Sequence, residues 1–293
     1  MANIPVAEID VSEQLVRRLL TDQHSDLADF PLEQVANGWD NVIFRLGTDL
    51  TVRLPRRQQA AQLVLNEQNW LPAVGARLTV DVPAPVLTGR PTAYYPWAWS
   101  ICPWLDGVQA AEVPIASRTD IAESLADFVA ELHQPAPPDA PHNAVRGIPL
   151  KHRHTAVTQR LASGAIPRRG EVAALWDELS SVPGWRGPAL WLHGDLHPAN
   201  ILLDRGRLRA VIDFGDLTAG DPATDLATAW LTFDAEGRRR FIARLNAHGN
   251  IDADTWQRAR GWALTISTAM LAASDDHPVL RQVGEDSLEQ ILA

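Results

Sequence analysis

The stretch HGDLHPANILLDRGRLRAVIDFGD, from His193 to Asp216, constrains the chain more than any other. Ala199 to Leu203 and Leu208 to Ile212 are apolar runs separated by Asp204-Arg205-Gly206, which is turn chemistry, so the segment reads as a β-hairpin. Closing the turn brings Asn200 beside Asp213, with Asp195 in the loop just before. Two chemistries fit this cluster. His193, Asp195 and His197 alternate, so on a strand they would share a face and could hold a metal for hydrolysis. Alternatively, Asp195 could orient an attacking hydroxyl while Asn200 and Asp213 supply the hard oxygen ligands that a phosphate-bound divalent metal takes.

The chain around it divides into a sheet-rich part and a helical part. Ile9, Leu15, Val16, Leu19 and Leu20 fall at helical spacing after Asp10 or Ser12 as a cap. Val42, Phe44 and Leu46 then alternate, a glycine-containing turn follows at Gly47 to Asp49, and Thr51 to Leu54 form the second strand of a hairpin. Gln58 to Leu71 read as a helix carrying Glu67, and the proline-rich residues that follow read as short strands. Beyond Gly107 the pattern turns helical. Ile121 to His133 carry one apolar stripe, residues 134–150 are a loop by composition, Glu171 to Leu179 are a helix, and the chain from Asp225 onward is helical in at least three pieces. The economical division lies between Cys102 and Gly107.

A net charge of −10, with no basic run longer than Arg238-Arg239-Arg240, argues against a nucleic-acid partner. No apolar run reaches the length of a membrane span and the N-terminus has no basic or apolar targeting region, so a cytoplasmic protein without membrane or obligate protein partner is expected. The lone cysteine, Cys102, reads as core filler. Lys151 is the only lysine among the 26 basic residues, so an arginine where another protein has lysine carries little meaning here.

HGDLHPAN fits the catalytic-loop pattern His-x-Asp-x-x-x-x-Asn, and IDFGD fits the Asp-Phe-Gly element that follows a hairpin in the protein-kinase-like fold. With Gly194 in place of the kinase arginine and GDPATDLA downstream, the chain resembles the aminoglycoside phosphotransferase family, which includes macrolide, choline and related small-molecule kinases. The resemblance implies an α+β, two-lobed protein-kinase-like fold: an N-terminal antiparallel sheet lobe binding nucleotide over residues 1–103, and a larger, mainly helical catalytic and substrate-binding lobe over 104–293. It implies transfer of the γ-phosphate of ATP or GTP, with Mg2+, to a hydroxyl of a small molecule such as an aminoglycoside- or macrolide-like antibiotic, an activity associated with resistance.

Carried onto this sequence, the resemblance makes Asp195 the catalytic base and Asn200 and Asp213 the metal ligands. Arg53 stands at the site of the kinase lysine that contacts the α- and β-phosphates, Glu67 is its ion-pair partner, and Arg45 and Arg56 are lesser candidates for the same duty. Gly38 is the single glycine of the phosphate-covering loop ANGWDN. In the hinge CPWLDG the Pro103 carbonyl would accept from the purine amine, the Leu105 N–H would donate to the ring, and Trp104 is a candidate for stacking. His193 and His197 then read as structural, and Asp225 as a buried tie to the catalytic loop. Asp216 could face the amines of a substrate, and Asp234, Asp252, Asp254, Asp275 and Asp276 could together suit a polycation. Two other readings stand beside this one: a metal-dependent hydrolase on His193, Asp195 and His197, and a catalytically weak nucleotide-binding homologue.

Overall fold

The computed structural model describes residues 6–249, 251–274 and 277–293, so Asp275 and Asp276 lie outside the described residues. The chain forms two compact units. The N-terminal unit runs to Ala76 and resumes over Asp81–Asp106; the C-terminal unit comprises Arg77–Val80 and Gly107–Ala293.

In the N-terminal unit, helix α1 (Glu13–Gln23) starts where the Ser12 side chain accepts from the Leu15 N–H, which decides between the two expected caps. Strands β1 (Leu32–Asn37), β2 (Asn41–Leu46) and β3 (Leu50–Pro55) follow, then helix α2 (Gln58–Gly75), β4 (Leu87–Gly89) and β5 (Trp99–Pro103). They make an antiparallel sheet in the order β1-β2-β3-β5-β4. Val42, Phe44 and Leu46 are buried in alternation, as the period-two pattern predicts. They meet Val16, Leu19, Leu20, Trp99 and Ile101 in one core. Cys102 is also buried, and burial pushes its thiol up to about 12, so it is inert filler.

The C-terminal unit contains β6 (Val108–Gln109), α3 (Ala122–Leu132), α4 (His154–Ala162), α5 (Arg169–Ser180), β7 (Leu190–Leu192), β8 (Ile201–Asp204), β9 (Arg207–Val211) and β10 (Thr218–Gly220). Five helices follow: α6 (Ala223–Leu226), α7 (Thr228–Thr232), α8 (Ala235–His248), α9 (Ala253–Ala273) and α10 (Pro278–Leu292). Two small antiparallel sheets, β6-β8-β9 and β10-β7, hold the two sides of the catalytic-loop sequence. Helix α9 is buried over most of its length, including Trp262 and Leu264, and α5, α6 and α10 pack around it. Among the described residues no helix is long and apolar enough to cross a membrane.

Candidate active site

The β8–β9 hairpin forms where the sequence places it, with Ile201 opposite Val211 and the turn at Arg205-Gly206 in left-handed backbone. Past the last ladder pair, the Ile212 N–H donates to the Asn200 carbonyl at 2.9 Å, so Asn200 and Asp213 emerge from the same end of the hairpin. The loop carrying Asp195 is fixed from behind. Asp225, fully buried on α6, accepts from the His193 and Gly194 N–H groups, each at 2.8 Å, and its Oδ2 lies 3.2 Å from His133 Nε2. His193 Nδ1 accepts from the Asp195 N–H at 3.2 Å while Nε2 sits 2.9 Å from the Ile212 carbonyl, so one imidazole ties loop to hairpin.

Gly194 explains the departure from the kinase arginine. Its φ is +87°, and a Cβ there would lie 2.4 Å from the Asp216 carbonyl oxygen, so the loop can touch the segment after Asp213 only with glycine.

The same geometry overturns the hydrolase alternative. Alternate residues share a face only on a strand, and β7 stops at Leu192 before the left-handed Gly194 turns the chain. Both ring nitrogens of His193 are engaged by backbone, and His197 Nδ1 accepts from the Ala199 N–H at 3.3 Å. Among the described residues no three His, Cys, Asp or Glu side chains are grouped to hold a metal.

Asp195 is met by a residue that sequence reasoning missed. Arg146 donates through Nη2 to Asp195 Oδ1 at 2.6 Å, and its Nε lies 3.5 Å from Asp216 Oδ2. The loop that delivers Arg146 is pinned by Asn143, whose side-chain carbonyl accepts from the Val145 and Arg146 N–H groups and whose amide donates to Asp216 Oδ1 at 2.7 Å. Burial works against ionisation of Asp195, but the Arg146 guanidinium, helped by the neighbouring His197 and His193 imidazoles, outweighs it and holds the carboxyl well below the usual carboxylate range. Asp216 moves the other way: burial raises it, Arg146 opposes, and the negative charges of Asp195 and Asp213 add to the rise. Asp195 therefore gives up its proton before Asp216 does.

Asn200 is buried, and its amide nitrogen donates to the Asp195 carbonyl at 2.9 Å, which leaves the amide oxygen as the outward donor atom. Asp213 is exposed and left-handed at φ 63°, an uncommon state for a residue that is not glycine. An amide oxygen and a carboxylate on one hairpin end are hard donors, so the set fits Mg2+, which would supply charge neutralisation on phosphate oxygens.

In the N-terminal unit, Arg53 on central strand β3 and Glu67 on α2 pair in a two-pronged contact, Nη1 to Oε2 at 2.6 Å and Nη2 to Oε1 at 3.3 Å, both side chains buried. Arg45 lies over the Trp104 ring and donates to the Thr48 carbonyl; Arg56 donates to the Gly38 carbonyl at 3.0 Å. Only Arg53 thus meets Glu67 among the three candidates. Arg45 lies over one face of the Trp104 ring, and the indole N–H donates to Asp106 at 2.6 Å. At the hinge the Trp104 N–H donates to the Asp49 carbonyl at 2.7 Å, whereas the Leu105 N–H has no intramolecular partner among the described residues.

A model described as the phosphotransferase enzyme family matches residues 31–262. Among characterised relatives, an aminoglycoside 3'-phosphotransferase of Streptomyces fradiae is 29% identical over 170 residues, 52% of this chain and 62% of that protein. An uncharacterised protein of Bacillus subtilis, YcbJ, is 26% identical over 67% of each chain. The chain thus spans about two thirds of the length of these relatives. Among solved structures, the GDP complex of aminoglycoside 2'-phosphotransferase-IIIa superposes with a TM-score of 0.70 at 18% identity, covering 96% of this chain and 99% of that one. Macrolide 2'-phosphotransferase MphH from Brachybacterium faecium does so with a TM-score of 0.62 at 21% identity, covering 93% and 97%. These likenesses establish the kinase-like fold, with its antiparallel sheet and mainly helical C-terminal part.

Proposed function

Because the chain belongs to the phosphotransferase enzyme family, we propose that it moves the γ-phosphate of ATP or GTP, with Mg2+, to a hydroxyl of a small molecule in the cytoplasm. What supports the reading is the convergence of Asp195, Asn200 and Asp213 at one end of a hairpin whose loop is locked by Asp225 and His193. In this reading the Asp195 carboxylate orients the acceptor hydroxyl and takes its proton as the new O–P bond forms and the γ-phosphorus parts from the bridging oxygen, which leaves with the nucleoside diphosphate. The Asn200 amide oxygen and the Asp213 carboxylate would hold the metal, which would supply charge neutralisation to the phosphates. Asp225 and His193 keep the loop in place without touching substrate.

In the N-terminal unit, Arg53 steadied by Glu67 contacts the α- and β-phosphates, the Gly38 loop covers them, and the free Leu105 N–H and the Pro103 carbonyl read the purine edge. Aminoglycosides and macrolides enter the acceptor panel through the relatives' names, and turnover of either would make this a resistance activity.

The test is nucleoside triphosphate consumption with Mg2+ against aminoglycosides, macrolides, amino alcohols and hydroxy acids, following phosphate onto the acceptor. Asp195→Asn should lower turnover by about 10²- to 10⁴-fold while leaving nucleotide binding in place. Full turnover by that variant would remove Asp195 from the mechanism. Nucleotide binding without any phosphorylated product would mark a binding-only homologue.

A further inference from the structure

Two of the carboxylates expected to suit a polycation are engaged within the fold: Asp234 caps α8 by accepting from the Gly237 N–H at 2.8 Å, and Asp252 caps α9 by accepting from the Thr255 N–H at 2.6 Å. Asp216 is bound between Arg146 and the Asn143 amide. The loop that delivers Arg146 is tied down at both ends, although its composition is that of a linker.

At its start, the Pro141 carbonyl accepts from the Thr218 hydroxyl at 2.9 Å and from the Ala219 N–H at 3.1 Å, and the Asn143 N–H donates to the Thr218 hydroxyl oxygen at 3.0 Å. At its end, the Gly147 N–H donates to the Thr224 hydroxyl oxygen at 3.1 Å, and the Gly147 carbonyl accepts from the Asp221 N–H at 3.0 Å. The contact is close: a Cβ on Gly220 would lie 2.2 Å from the Gly147 carbonyl oxygen. Asp221 is fixed in turn by the buried Arg258 of α9, Nε to Oδ2 at 2.8 Å and Nη2 to Oδ1 at 3.4 Å. The loop is thus clamped to β10 and the start of α6, and β10 pairs with β7, the strand that runs directly into the catalytic loop. Arg146 and Asp195 are held against the same two-stranded sheet.

A base carboxylate needs such a reference. His193 and Asn200 hold the Asp195 N–H and carbonyl, which fixes the backbone and leaves the side chain free to turn. The last torsion of an aspartate is intrinsically broad. Arg146 Nη2, at 2.6 Å from Oδ1, removes that freedom, while His197 Nε2 stands at a longer 3.4 Å from Oδ2. A base works only within hydrogen-bond reach of the proton it takes, and a displacement of about 1 Å can cost roughly 10²-fold in rate.

We propose that Arg146 is the positioning residue of this site: presented by the clamped loop of residues 141–147, it fixes Asp195 Oδ1 so that Oδ2 faces the acceptor hydroxyl. The inference rests on the reading of Asp195 as the base of phosphoryl transfer. Arg146 touches no reacting atom, so its whole effect on turnover passes through Asp195.

The test is a double-mutant cycle in the full chain, read as kcat and as KM for Mg-ATP or Mg-GTP, with a turned-over acceptor or with water as acceptor. Arg146→Ala should lower kcat by about 10²-fold while the nucleotide KM stays within about twofold of the parent. Arg146→Lys keeps the cation without the fork and should retain about tenfold more turnover than Arg146→Ala. In the Asp195→Asn background the same alanine should cost less than about twofold, because the group it aims is gone. Losses that multiply in the double variant, Arg146→Ala turnover within about twofold of the parent, or a lysine variant no better than alanine overturns the inference. If Arg146→Ala does not fold, Arg146→Lys takes its place in the cycle, and its loss must likewise vanish in the Asp195→Asn background. A parent chain that moves no phosphate from either nucleotide, to any acceptor or to water, overturns the phosphotransferase reading and this inference with it.

Discussion

Arg53 and Arg146 each hold a carboxylate at 2.6 Å, but the two pairs differ in what surrounds them. Arg53 and Glu67 are 8% and 3% exposed and meet in two prongs; Arg146 and Asp195 are 18% and 27% exposed and meet in one, with the Arg146 Nε turned to Asp216 at 3.5 Å. A closed, dry pair is committed to the fold, because neither ion can find water when its partner goes. A partly exposed pair can exchange its partner for solvent. Identical chemistry at identical distance should therefore weigh more heavily on stability in one unit than in the other, and burial decides which.

Removing the carboxylate of the closed pair gives the largest expected effect. Glu67→Ala leaves the Arg53 guanidinium buried and should cost about 3–5 kcal/mol in urea unfolding. Gly194→Ala comes next, since its left-handed backbone and the close Asp216 carbonyl should together cost about 1–3 kcal/mol and displace Asp195, so stability and turnover fall together. Arg146→Ala should cost about 1–2 kcal/mol, less than Glu67→Ala because both side chains are partly exposed, while acceptor turnover collapses. Equal destabilisation by Glu67→Ala and Arg146→Ala would erase the distinction drawn from burial.

The same contrast governs what the sequence reveals. The β8–β9 hairpin and the β2 alternation are written locally, in turn residues and period-two burial, so both are legible, and with them the placement of Asn200 and Asp213 at one hairpin end. Arg53 and Glu67 were reached through the kinase resemblance, whose spacing spans one strand-to-helix step. Strand β1 was not legible, because as an edge strand it buries only Leu32 and shows no alternation. Helix α4 escaped for a like reason, with only Val157 and Leu161 buried. Arg146 lies in a proline-rich loop 49 residues before Asp195, and nothing local links the two. An arginine between an Asn that caps its own loop and a left-handed glycine, Gly147, was the available hint.

The smallest stability change is expected from replacing both partners of the closed pair. In Arg53→Met/Glu67→Leu no uncompensated ion remains, and apolar side chains of similar volume avoid the desolvation that the ion pair had to overcome. Stability should stay within about 1 kcal/mol of the parent, or rise, although each single truncation is costly. If Arg53 contacts the nucleotide phosphates, the double variant nonetheless loses nucleotide affinity, which titration with Mg-ADP and Mg-GDP would read against unchanged urea midpoints. A double variant that is as stable as the parent and binds nucleotide equally well would show that the closed pair serves neither fold nor ligand. One as unstable as Glu67→Ala would show that the further interactions of these two residues, and not their charges, hold β3 to α2.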